Sequence, residues 1–98
     1  MKPELAALVQ ELERIQTINE LQVWKHSHEL SSELVRAIMS RLQDLLMVDS
    51  RAALRLSEWM ISIASELNDP SSKALASRGK GSALVTADNY FQGIEYFD

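Results

Sequence analysis

The sequence predicts an all-α protein, and three observations carry that prediction. Apolar residues recur at three- and four-residue steps along most of the chain, the spacing that lines one face of a helix. No stretch alternates apolar and polar residues for long enough to mark a strand. Two prolines and three glycines in 98 residues leave no room for long linkers. A single domain of four to six helices, paired as antiparallel hairpins, is the expected architecture.

Pro3 fits the first turn of an opening helix, where its missing N–H is harmless. Leu5, Leu8, Leu12 and Ile15 form the apolar stripe of that helix with Val9 beside them, and Glu4, Glu11, Glu13 and Arg14 occupy its other faces. Residues 17–32 leave two readings open: a short second helix around Leu21, Val23 and Trp24, or the end of the first one. Ser31, Ser32 and Glu33 supply a cap and an early acid for the next helix, whose stripe is Leu30, Leu34, Ile38, Leu42 and Leu45 and whose end falls near Val48. Asp49 and Ser50 cap another, with Ala53, Leu56, Met60, Ile63 and Leu67 toward the core and Arg51, Arg55, Glu58 and Glu66 in water. Asn68-Asp69-Pro70 ends that helix and starts a further one: Asp69 is an N-cap and Pro70 a first helical residue. So short a turn makes its two flanking helices antiparallel neighbours.

Composition narrows the function. The absence of cysteine excludes disulfides, thiolate metal sites and thiol catalysis, and cytoplasm is the default compartment. A net charge of -4 argues against a nucleic-acid binder, whose affinity comes from Lys and Arg. Apolar runs such as Leu45-Leu46-Met47-Val48 are far short of a membrane span, and Met1-Lys2-Pro3-Glu4 does not begin a signal peptide. Charge is uneven late in the chain, where Lys73, Arg78 and Lys80 precede Asp88, Glu95 and Asp98.

Residues 70–98 have helical character apart from Gly79 and Gly81, and glycine inside a helix costs about 1 kcal/mol relative to alanine. A close backbone approach offsets that cost. Gly93 lies twelve residues after Gly81 in the stripe Tyr90, Gly93, Ile94, Phe97, so the expectation is that Gly81 and Gly93 meet across a hairpin turning at Ala87-Asp88-Asn89. Gly81, Tyr90, Gly93 and Phe97 at these intervals resemble the tetratricopeptide-repeat pattern, a helix-turn-helix unit of about 34 residues. Upstream, Leu54, Ser57, Ile61, Ala64 and Pro70 look like the second helix and closing proline of a more divergent repeat whose first helix is Leu34 to Leu46. The resemblance implies a solenoid: residues 1–30 as an N-terminal helical segment outside the repeats, 31–69 as a divergent hairpin, and 70–98 as a hairpin with a truncated second helix. It also implies a groove lined by Leu75, Arg78, Ser82, Val85 and Thr86 that holds a protein or peptide, and Arg78 could grip a carboxylate there. The Lys and Asn set by which some such repeats clamp a C-terminal carboxylate is incomplete, Ser82 standing where the Asn would be, so that ligand is not expected.

Other motifs dissolve on inspection. Gly79-Lys80-Gly81-Ser82 lacks the strand and earlier glycine of a phosphate loop. Tyr90-Phe91-Gln92-Gly93 matches part of a protease site used in tags, but it continues the helical stripe through Ile94, Tyr96 and Phe97. His26 and His28 stand two apart and point to different faces of a helix, so a solvated pair is expected rather than a metal site. Glu11 and Glu13 read as a wet helix side and Trp59 as core, while Trp24 fits core or a partner-binding patch. No serine sits in a nucleophile elbow.

The sequence therefore leads to a non-catalytic interaction scaffold, without cofactor or metal, that does not engage nucleic acid or membrane. By family-level analogy it is the N-terminal piece of a larger bacterial signalling or regulatory protein. A second reading is an oligomerisation module using the Tyr90 and Phe97 face, and a third is a weak histidine metal site.

Overall fold

A computed structural model describes the backbone of residues 2–97 and the side chains of residues 2–86. Five α-helices follow one another: α1 (Pro3–Arg14), α2 (Ile18–Ser27), α3 (Ser32–Leu45), α4 (Ser50–Glu66) and α5 (Pro70–Phe97). Among the described residues there is no strand.

The caps fall where the sequence places them. The Ser31 hydroxyl accepts from the Leu34 amide at 3.2 Å and the Asp49 carboxylate from the Ala52 amide at 3.1 Å. Asp69 accepts from the Ser71 amide at 3.2 Å and from the Ser72 hydroxyl at 2.7 Å. These bonds satisfy N–H groups that a helix start leaves without intrahelical partners. Residues 17–32 resolve as a separate short helix. Ile15 is extended, and the Thr17 side chain caps α2 by accepting from the Glu20 amide.

Helices α3 and α4 pack together across a four-residue link and form the middle of the molecule. Their core is Leu34, Val35, Ile38, Leu42, Leu56, Met60 and Ile63, all essentially without solvent contact. Helix α1 packs on both through Val9 and Leu12, so its buried stripe is centred on Val9, with Leu5 and Leu8 at its margin. Two ion pairs fix its direction parallel to α3, Lys2–Glu33 at one end and Glu13–Arg41 toward the other. Helix α2 is held by the buried Leu21 and Trp24 and by Lys25, whose ammonium donates to the Ser62 hydroxyl at 2.8 Å and lies 3.4 Å from Glu66.

Helix α5 lies along α4 and α3. Its buried face is a row of small residues, Ser72, Ala76, Gly79 and Ala83. A methyl group built on Gly79 would stand 2.4 Å from Met60 Cε and 3.0 Å from Met39 Sδ, so the missing side chain lets the helix sit this deep. A methyl on Gly81 would meet nothing within 4 Å.

Two expectations are corrected here. The close-packing glycine is Gly79, not Gly81, because the buried row runs 72, 76, 79, 83 and places Gly81 on the outer side. The hairpin expected over residues 70–98 does not form, since α5 continues as one helix of 28 residues through Ala87, Asp88 and Asn89. Without proline or glycine at those positions nothing breaks it. On one helix Gly81 and Gly93 stand about 18 Å apart along the axis and cannot meet. The side-chain surroundings of Tyr90, Gly93 and Phe97 lie outside the described residues.

Helix α4 has 17 residues and α5 has 28. At 1.5 Å per residue α5 is about 42 Å long, close to the 46 Å longest extent of the molecule. Met47 and Val48, in the α3–α4 turn at the end where α5 passes α4, are 89% and 82% exposed.

The two glycines should respond in opposite ways to substitution. Gly81→Ala should stabilise the fold by about 0.5–1 kcal/mol through helix propensity. Gly79→Val should destabilise it by about 1–3 kcal/mol through overpacking against Met60 and Met39. The urea unfolding midpoints of the two variants check both signs.

Candidate functional site

The five groove residues expected from the sequence fall on one side of α5, and two of them, Leu75 and Arg78, lie together in a cleft. Leu75 and Arg78 line an opening of about 330 Å³ between α3 and α5, together with Ser71, Ser72, Ala74 and Arg36. Ser82 and Val85 lie further along α5, both exposed, with Val85 61% accessible. Thr86 is partly buried, like Leu75, with which it is in helical phase. The structure thus separates the five into a cleft pair, an outward pair and Thr86.

The cleft follows from how α5 is seated. With Gly79 against Met39, the turn of α5 just before it runs beside the first half of α3, and Arg36 comes to share the opening with Arg78. Both side chains are exposed, and among the described residues neither makes an ion pair with an acidic group. Leu75 and Ala74 give the cleft an apolar wall. The Ser72 hydroxyl is committed to Asp69, and that carboxylate is engaged by the α5 cap. Two guanidiniums over an aliphatic wall can hold a carboxylate or a peptide carbonyl by charge-assisted bonds. Arg36 was missed in the sequence because it lies 42 positions from Arg78; only the parallel course of α3 and α5 unites them.

The histidine neighbourhood has a structural explanation. The His28 ring stacks on Trp24 with centroids 4.2 Å apart. Its Nδ1 stands 2.8 Å from the Trp24 carbonyl and its Nε2 3.5 Å from the Glu11 carboxylate. A carbonyl oxygen only accepts, so Nδ1 carries a proton. Glu11 also accepts from the Trp24 indole at 3.4 Å. Glu11 and Glu13 are therefore more than a wet helix side: the first ties α1 to α2 and the second, accepting from Arg41 at 2.9 Å, ties α1 to α3. Trp24 and Trp59 are both buried, and the Trp59 indole donates to the Ile15 carbonyl at 3.4 Å just beyond α1. Among the described residues no group of three or more His, Asp or Glu side chains could hold a metal ion. No helix among them is long and apolar enough to cross a membrane.

Compared with known proteins, the chain matches no family model, no curated protein and no solved structure.

The cleft depends on the cap that starts α5. Asp69→Ala should cost about 1–2 kcal/mol in stability, the range for loss of a helix N-cap, and should loosen the turn carrying Ser71 and Ser72. Thermal unfolding reports the first effect and amide exchange at Ser71–Lys73 the second.

Proposed function

We propose that the chain is a non-catalytic interaction module that holds a protein or peptide along the outward face of α5, with Arg36 and Arg78 as its polar grip. The observation that carries this reading is the α3/α5 cleft, where two exposed guanidiniums, without acidic partners among the described residues, stand beside Leu75 and Ala74. Arginine beside a small apolar wall is the side-chain combination that interfaces favour. Ser82 and Val85 extend the face beyond the cleft by two turns.

From the tetratricopeptide resemblance this proposal keeps the mode of use, a helix face presented to a peptide, and the antiparallel succession of α3, α4 and α5. The Gly81–Gly93 hairpin is no part of it. The reading takes His28, Glu11 and Glu13 as ties from α1 to α2 and α3 rather than as reacting groups.

The test is capture of a partner by the full chain, followed by titration of that partner against variants. Arg78→Glu and Arg36→Glu should each weaken binding by about tenfold or more, the consequence of losing a charge-assisted hydrogen bond of roughly 1.5–3 kcal/mol. Both positions are exposed, so circular dichroism should show an unchanged fold. Undiminished binding by both variants refutes this surface.

A further inference from the structure

We propose that the ligand of this module is a short acidic peptide that crosses α3 at Arg36, from an opening between α1 and α3 into the α3/α5 cleft, with two apolar side chains three residues apart and carboxylates between them. The inference rests on the partner-binding reading, whose arginine grip it keeps, and adds the chemistry of the ligand and a second place where it is held.

The first observation is the second opening. Lys2 and Leu5 of α1 and Glu33, Ala37 and Ser40 of α3 line a space of about 430 Å³, and Arg36 lines it with them. Arg36 also lines the α3/α5 cleft, so the two openings stand on either flank of one exposed side chain. The helical period accounts for this. Ala37 and Met39 project to opposite sides of Arg36, about 160° apart around α3. Ala37 is turned to the α1 opening, and Met39 lies under Gly79 of α5. Helices α1 and α5 therefore flank α3, with Arg36 on the ridge between them. The two openings are built alike. Leu5 and Ala37 form the apolar wall of the first and Lys2 its cation; Leu75 and Ala74 form the wall of the second and Arg78 its cation. Leu5 and Leu75 are both only partly covered by the core, which leaves apolar surface for a ligand to remove from water.

Charge identifies the occupant. The chain as a whole has a net charge of -4, yet the residues lining the two openings include three cations, Lys2, Arg36 and Arg78, and one acid, Glu33. Glu33 is held by Lys2 at 3.5 Å, and Arg36 and Arg78 have no acidic partner among the described residues. A positive strip on an acidic protein favours a negative ligand. Spacing sets the ligand's pattern. Packed helices stand about 8–10 Å apart, so the grooves on the two sides of α3 are separated by about 9 Å. An extended chain in the polyproline II conformation rises about 3.1 Å per residue and repeats every three residues, which places side chains i and i+3 on one side about 9 Å apart. Two apolar side chains so spaced reach Leu5 and Leu75 together, and the two residues between them pass over Arg36, where a carboxylate meets the guanidinium.

The probes are capped fluorescent hexapeptides with two leucines three positions apart and either two, one or no carboxylates between them, the others being amides, titrated into the full chain. Saturable binding of the two-carboxylate peptide is expected, about tenfold weaker for each carboxylate replaced and weaker at higher salt. No binding of that peptide at about 1 mM, or equal binding of the uncharged one, overturns the inference. Leu5→Ala removes apolar wall from the α1 opening, and Lys2→Ala removes its cation and frees Glu33 to repel the ligand; each should weaken binding about three- to tenfold. Lys2 is exposed, so circular dichroism of Lys2→Ala should show an unchanged fold. Loss with Arg78→Glu but with neither α1 variant overturns the crossing and leaves the α5 surface standing, whereas no loss with Arg78→Glu or Arg36→Glu refutes that surface too. A species of twice the chain mass in sedimentation that Arg36→Glu dissolves would assign the strip to a second copy and overturn the peptide.

Discussion

One position without a side chain sets the geometry of the whole second half of this chain. At Gly79 helix α5 passes over the ends of Met60 and Met39, whose flexible tips would have to shift to admit even a methyl group. Ser72, Ala76 and Ala83 extend the same narrow face, all with less than 5% exposure. A helix with so thin an inner side lies close to its neighbours, and close approach increases the dispersion contacts each buried atom makes. Methionine suits the other side of such a contact because its unbranched, polarizable end adapts to an irregular surface. Where α5 lies then determines everything after it. It brings Arg78 beside Arg36.

The starts of α3, α4 and α5 were legible because each is written in side chains that act locally. Ser31, Asp49 and Asp69 cap the three helices their positions suggested, and the stripes of α3 and α4 are buried as their spacing demands. The reading failed where two local patterns competed. Gly79 and Gly81 are two apart on one helix, and a helix turns about 200° over two residues, so choosing the wrong one inverts inside and outside. The rows 72, 76, 79, 83 and 78, 81, 85 are both helical in period; the first is built from small residues that α3 and α4 can cover, which only the folded chain shows. The expected turn at Ala87-Asp88-Asn89 rested on the intervals of Gly81, Tyr90, Gly93 and Phe97, with Asp88 as the cap of the helix after it. A cap starts a helix only where the preceding chain has stopped being one, and no glycine or proline stops it there.

The candidate surface was half visible. Leu75 and Arg78 share a cleft as the helical period suggested, yet Arg36 joins them from another helix, and single-residue spacing carries no information on that. The same limit hid the polar ties of the N-terminal half. Glu11 and Glu13 read as the wet side of a helix, and no spacing singled out Lys25. In the fold each reaches another helix: Glu11 to Trp24 and His28, Glu13 to Arg41, Lys25 to Ser62 and Glu66. Such ties contribute little net energy where solvent reaches them. They fix which way a short helix lies, which an apolar contact alone leaves loosely specified.

Lys25 makes the position of α2 chemically readable. Its side chain is 6% exposed and its nitrogen is occupied by Ser62 and Glu66, whereas Lys2 and Lys73 are open to solvent. An amine-directed reagent therefore meets unequal nucleophiles in one small chain, and the lag of Lys25 behind the others measures how long α2 stays docked. The protein carries an internal clock for the lifting of its shortest helix, with the faster lysines as its calibration.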